Sequence, residues 1–174
     1  MIIDRANSHF IFILPWDHVR RHYNYVRYNG KELTNEEYLE HWGKWVFLDS
    51  REQFDQLGKK IDPYVEHKII PAAKYDREVI EEFNLGECVM CVYCDEREKE
   101  GVWNILASLG VEDKAWVFER ETLERWLPGG HLLESWIKGR GMSKEQAEKV
   151  RRDAKATFKR MFGNKYAIFQ PVNQ

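Results

Sequence analysis

Two lysines stand inside apolar, strand-like runs: Lys44 in Gly43-Lys44-Trp45-Val46-Phe47, and Lys74 in Pro71-Ala72-Ala73-Lys74-Tyr75. A lysine in such a run is costly unless its ammonium reaches solvent or an anion. If both project from the uncovered side of a sheet, they can grip a phosphate or a carboxylate. The alternative is that each snorkels at the sheet rim. A second cluster lies upstream, where Arg20, Arg21 and Arg27 interleave with Trp16, Tyr23, Tyr25 and Tyr28. Guanidinium forks bind phosphate oxygens and aromatic faces stack on bases, so this composition suits a nucleotide or single-stranded nucleic acid. An amphipathic strand with packed aromatics is the plainer reading. The ligand-binding set is therefore Lys44, Lys74, Arg20, Arg21 and Arg27 for charge, with Tyr23, Tyr25 or Trp45 for stacking.

Other spacings suggest metal or thiol chemistry. Cys88, Cys91 and Cys94 have the C-x-x-C-x-x-C spacing of an iron–sulfur or zinc site. Their neighbours Val89, Met90, Val92 and Tyr93 make the segment a strand, on which Cys91 faces away from Cys88 and Cys94, so the thiolates cannot converge. Buried structural thiols are expected. Cys94, at the strand end ahead of a helix, could have a lowered pKa. His18 and His22 are one helical turn apart beside Asp17, which would make half of a metal site or a solvated basic face. No metal and no cofactor is expected. His131, after Pro128-Gly129-Gly130, could act as a general acid opposite a lysine base. The Lys138-Gly139-Arg140-Gly141 stretch reads as an anion cradle or a flexible linker.

The elements that must position these residues centre on residues 42 to 75. Trp45 to Leu48 reads as a strand, and Ser50 with Gln53 has capping-box spacing. Phe54, Leu57, Ile61 and Tyr64-Val65 then form a helical stripe. Pro63 predicts a kink or an end near Asp62. Ile69 to Tyr75 returns as a strand whose proline predicts an edge or a bulge. Ahead of this unit, His9 to Leu14 is a strand, Asn29-Gly30 a hairpin dipeptide, and Thr34 with Glu37 a capping box. After it come a polar helical connection ending at Gly86 and a central strand, Glu87 to Cys94. Asp95 with Glu98 then caps a helix closed by Gly110. A strand at Ala115 to Phe118 precedes short helices at Glu121 to Leu127 and His131 to Ile137. Ser143 with Gln146 caps a final helix closed by Gly163, and Tyr166 to Phe169 is an edge strand. The class is α+β, a mostly antiparallel sheet with helices on one face and the other open to a ligand.

At 174 residues, one domain is expected, with a core from 8 to 137 and a basic C-terminal segment from 138 to 174. The formal net charge of −2 hides an asymmetry: residues 138 to 165 carry 10 Lys and Arg against 3 Asp and Glu. That segment either docks on the acidic remainder or presents an anion-binding face to an RNA or protein partner. Three cysteines suit a reducing compartment rather than a disulfide framework. No signal peptide and no run of membrane-spanning length is visible, so a soluble, cytoplasmic protein with no membrane partner is expected.

The order Gly43-Lys44-Trp45, capped helix, Ala73-Lys74, then Val92-Tyr93 followed by Asp95 resembles a small family of unknown function named after a basophilic-leukemia-expressed protein. The resemblance covers about Gly30 to Phe118. It implies a fold like the messenger-RNA cap-binding initiation factor, a curved antiparallel sheet backed by helices. It also implies, as an alternative activity, a phosphothreonine-lyase-like enzyme. Apart from the resemblance, the residues themselves suggest a phosphoryl-processing enzyme with Lys74 as base and His131 as acid. The leading expectation is a module that binds a phosphorylated or nucleotide-like ligand on the open face of the sheet.

Overall fold

The computed structural model describes residues 1–162. They form two compact units, one of Met1–Ile80 with Gly86–Phe118, the other of Glu81–Leu85 with the residues from Glu119 onward. The basic segment set apart at 138 in the sequence thus shares its unit with the two short helices before it. The expected closing Gly163 and the edge strand at Tyr166 to Phe169 lie outside the described residues.

In chain order the first unit runs β1 (Ile2–Asp4), β2 (Phe10–Ile13), α1 (Trp16–Arg21), β3 (Arg27–Tyr28), β4 (Lys31–Glu32), α2 (Asn35–His41), β5 (Trp42–Asp49), α3 (Arg51–Glu66), β6 (Ala72–Asp76), β7 (Cys88–Asp95), α4 (Lys99–Ser108) and β8 (Trp116–Phe118). Six of the strands make one open sheet in the order β1-β2-β6-β7-β5-β8, and every pairing is antiparallel. The class is α+β, as the sequence implies. The apolar strand β7 lies inside the sheet, between β6 and β5. β3 and β4 form a separate hairpin around Asn29 (φ 48°) and Gly30 (φ 76°), the left-handed pair that a two-residue turn requires.

One face of the sheet carries the core. Ile11, Ile13, Trp45, Phe47, Ala73, Tyr75, Met90 and Val92 meet Phe54, Ile61 and Val65 of α3 and Val102 and Leu106 of α4. Gly58 lets α3 sit close to the sheet, since a Cβ there would be 3.3 Å from Ile13 Cδ1. Two of the capping signals behave as read: Thr34 Oγ1 accepts from the Glu37 amide at 3.2 Å, and Ser50 Oγ from that of Gln53 at 3.3 Å. Asp95 does not cap α4 with Glu98; it accepts from the Arg97 amide at 2.9 Å and caps a 3-10 turn at Glu96–Glu98, and Glu98 opens α4 without a side-chain cap bond.

Three expectations are corrected. α3 does not stop near Asp62 but runs through Pro63 to Glu66. Proline in the last turn spoils a single hydrogen bond, and the helix ends instead where Lys68 turns left-handed at φ 59°. β6 is not an edge strand: it lies between β2 and β7, and Pro71 sits just before its first residue, where no ladder donor is needed. The connection before Gly86 is not a helix of several turns; it holds only a 3-10 turn at Glu81–Phe83.

The second unit joins that turn to α5 (Glu119–Arg125), α6 (His131–Gly139) and α7 (Lys144–Phe162). Phe83, Trp126 and Trp136 form an aromatic triangle with centroids 5.9 to 6.3 Å apart. Leu133 and Ile137 of α6 pack on Ala147, Val150 and Ala154 of α7. Ser143 and Gln146 exchange capping bonds at 2.9 and 3.2 Å. The Lys138-Gly139-Arg140 stretch is not a free linker. Gly139 ends α6 against Glu82, while Arg140 pairs with Glu82 at 2.9 Å and lies 4.3 Å over the Trp136 ring.

Candidate functional site

β2 ends, β6 begins, β7 ends and β5 begins at one end of the sheet, as the partners Ile13↔Ala73 and Trp42↔Asp95 define. The segments leaving and entering those strands enclose a cavity of about 240 Å³. Pro15 follows β2, Lys68 and Pro71 precede β6, and Glu98 follows β7. Tyr23, Tyr25, Arg27, Tyr28, Asn29 and Gly30 complete the wall from the loop after α1 and the small hairpin. The loop is shaped locally. His22 turns left-handed (φ 58°) and ends α1, and His18 Nδ1 lies 2.6 Å from the Tyr23 carbonyl. His22 is thereby off the helix, so His18 and His22 do not share the helical face that a metal pair needs.

Each cation here is held between a carboxylate and a tyrosine ring. Lys68 Nζ donates to Asp17 Oδ2 at 2.5 Å and lies 4.3 Å from the Tyr23 ring centre. That hydrogen bond lowers the Asp17 pKa and raises the Lys68 pKa, so both stay charged. Arg27 donates to the Gly30 carbonyl at 2.6 Å and to Glu32 at 3.3 Å, with its guanidinium 5.3 Å from the Tyr23 centre. Arg97 donates to both oxygens of the fully buried Asp95 at 2.8 Å and lies 3.7 Å over Tyr28. Such clamps fix the cations before any ligand arrives, so little ordering entropy remains to be lost. Tyr25 meets His18 edge-on at 4.8 Å. Glu98 makes no hydrogen bond or ion pair among the described residues. Partial burial, and then the Asp95 charge, push its carboxyl above the ordinary value against the pull of Arg97.

The structure brings Tyr23, Tyr25 and Arg27 of the expected set into this cavity. Lys44 and Lys74 are elsewhere, on the sheet face opposite the core. Register places Lys44 beside Tyr93 and Lys74 beside Cys91, two residues and two strands apart, about 12 Å between Cα atoms. Lys44 is buried with Nζ 5.6 Å from the Tyr93 ring, and Lys74 Nζ is 4.0 Å from the Phe10 ring. Arg20 is exposed on α1, and Arg21 covers the exposed Trp16 at 5.0 Å. The stacking role expected of Trp45 is not served: it is 2% exposed in the core, and its indole N–H donates to the Lys99 carbonyl at 3.0 Å. Alternation along β5 turns it away from Lys44. The cysteines are all buried, with Cys91 opposite Cys88 and Cys94 as the strand dictates. The Cys94 thiol pKa is raised rather than lowered, chiefly by burial.

Lys68 and Glu98, which line the cavity, and Arg97, which backs its Tyr28 wall, are not in the set read from the sequence. Lys68 and Glu98 belong to helix ends far from the Tyr23 loop in sequence, and no local spacing marks them. Arg97 carries a readable signal, its position two residues after a helix-capping Asp95, where a bidentate pair is within reach.

A second cavity, also of about 240 Å³, lies at the opposite end of the sheet. Phe47, Phe54, Leu57, Leu109 and Val111 line it, and Asp49, Glu112, Asp113 and Lys60 stand among its polar lining residues. No described helix is long and apolar enough to cross a membrane. Compared with protein-family models, curated proteins and solved structures, the chain shows no match.

Proposed function

We propose that the first unit is a binding module for a phosphorylated or nucleotide-like ligand, held in the tyrosine–cation cavity at the end of the sheet. The observation that carries this reading is the convergence of Tyr23, Tyr25, Tyr28, Arg27 and Lys68 on one cavity. Clamped cations meet phosphate oxygens, and tyrosine rings offer apolar walls to a base or sugar. The likeness of Gly43-Lys44-Trp45, Ala73-Lys74 and Val92-Tyr93 to the basophilic-leukemia-expressed-protein family, with its cap-binding-factor-like fold, lends support. A thermal-shift series with nucleotides and phosphorylated metabolites tests it. A ligand at one hundred times its Kd stabilises by about 2.7 kcal/mol. Shifts that vanish in Arg27→Ala and Lys68→Ala support the reading, and shifts unchanged in both variants refute it. Incubation of the same hits followed by product analysis separates binding from phosphoryl processing.

A second reading concerns α7, which bears exposed Lys144, Lys149, Arg152, Lys155, Lys159 and Arg160. Its charge supports contact with a polyanionic RNA or protein partner.

A further inference from the structure

We infer that the outward stripe of α7 binds the phosphate backbone of nucleic acid, without reading its sequence; this rests on the second reading above and names the partner class. Lys149, Arg152, Lys155 and Lys159 recur at intervals of three and four residues, so they share one side of the helix, with Arg160 adjoining. The stripe is about 15 Å long, the length of roughly four nucleotide steps along one strand of a duplex. All five side chains are exposed. Lys149 pairs with Asp153 at 3.2 Å, an exposed contact of little strength, while Arg152, Lys159 and Arg160 form no ion pair among the described residues. The acidic residues Glu145 and Glu148 fall in the first turns, before the stripe begins.

Three features select nucleic acid among polyanions. The apolar side of α7 is largely used: Ala147, Phe158 and Phe162 are buried, and Met161 alone is a large apolar residue left exposed on the described helix, too little to lay into a lipid surface. A specific protein interface needs aromatic or aliphatic anchors at its centre, and the stripe has none between its cations. A regularly spaced phosphate chain needs only charge at matching intervals. The stripe also lacks Asn, Gln and aromatic side chains that could read base edges or stack, so the contact is with the backbone alone. The helix is held rigidly enough to present it. Arg151 on the inner side makes two bonds to Glu134 of α6, at 3.0 and 2.8 Å.

The test is fluorescence anisotropy of the full chain with two short RNA duplexes of unrelated sequence, from about 50 to 200 mM salt. The expected result is equal affinity for both, with log K falling against log salt at a slope of about −3 to −4 for three to four neutralised phosphates. Arg152→Glu with Lys159→Glu and Arg160→Glu should weaken binding at least tenfold while the melting curve stays in place. A labelled polyglutamate forms the second arm. Binding to polyglutamate but not to RNA overturns the inference and leaves the anion-binding reading of α7 standing. Binding to neither overturns both. RNA binding unchanged in the triple variant, or independent of salt, also overturns the inference.

Discussion

The two ends of the sheet in the first unit carry cavities of the same size, about 240 Å³, and of opposite chemistry. At the Asp49–Cys88 end, the floor is the margin of the core itself: Phe54 is 1% exposed, and Phe47, Leu57 and Leu109 continue the same packing. At the Trp42–Asp95 end, little of the wall belongs to the core. Tyr23 and Lys68 come from loops and Arg27 and Tyr28 from the small β3–β4 hairpin, and each cation is fixed by a carboxylate and a ring. Fixing long cationic side chains costs rotamer entropy with little return from exposed ion pairs. Volume therefore does not separate the two cavities. The first is where packing stops. The second is walled largely by polar and aromatic groups from outside the core, which is the arrangement that the proposed ligand site requires.

The contrast can be broken at its strongest point first. Phe54→Ala should cost about 3–5 kcal/mol in urea unfolding, because it empties a fully packed position. Its effect on ligand affinity at the tyrosine end should be nil once the protein is folded. Arg97→Ala comes next, at about 2–3 kcal/mol. It leaves the Asp95 carboxylate, fully buried, with only the Arg97 backbone N–H as a donor among the described residues, and it uncovers the face of Tyr28. Unlike Phe54→Ala, it should also weaken the ligand. An Arg97→Ala protein of unchanged stability would mean that the clamp is ornamental, and the distinction between the two ends would fall with it.

Smaller in stability but sharper in function are Arg27→Ala and Lys68→Ala. Their carboxylate partners Glu32 and Asp17 sit at the surface, where ion pairs add little, so each change should leave the unfolding midpoint nearly in place. Each removes a charge-assisted contact to the ligand, worth about tenfold in Kd by titration calorimetry. Lys60→Ala, at the other cavity, is the matched control and should leave Kd unchanged.

The sequence carries the sheet well and the site in part. Local rules are enough for the capped helices α2, α3 and α7, for the Asn29-Gly30 hairpin and for the opposed sides of Cys91 and Cys94, because each depends on neighbours a few residues away. Pro63 and Pro71 mislead for the same reason: a proline's local penalty says where a bond is missing, not whether tertiary packing tolerates the gap. The Tyr23, Tyr25 and Arg27 cluster is legible as composition. Its partners Lys68 and Glu98 are not, since the chain folds them in from 40 or more residues away, and no periodicity spans that distance; Arg97 is legible only through its position after Asp95. Trp45 shows the limit from the other side. Aromatic type suggests stacking, but strand alternation, which fixes its neighbour Lys44 on one face, sends Trp45 into the core.

Glu98 gives the smallest effect and the finest division between the two ends. Its carboxyl is the acidic group in the cationic cavity, and its pKa lies above the ordinary 4.5 through partial burial and the Asp95 charge. An acid whose folded pKa is raised favours the folded state when protonated, so its contribution is present at low pH and is lost as pH rises through the folded value. Glu98→Gln should therefore be neutral or slightly stabilising at pH 7, and that difference from wild type should close as pH falls below about 4.5. The same charge opposes an anionic ligand. Its removal should tighten binding by about 0.5 kcal/mol at neutral pH, a twofold to threefold fall in Kd. Glu112→Gln, in the other cavity, should change neither quantity. A ligand that binds Glu98→Gln more weakly would instead place a donor of its own on that carboxylate, and the cavity would then be recognising a group beyond the phosphate.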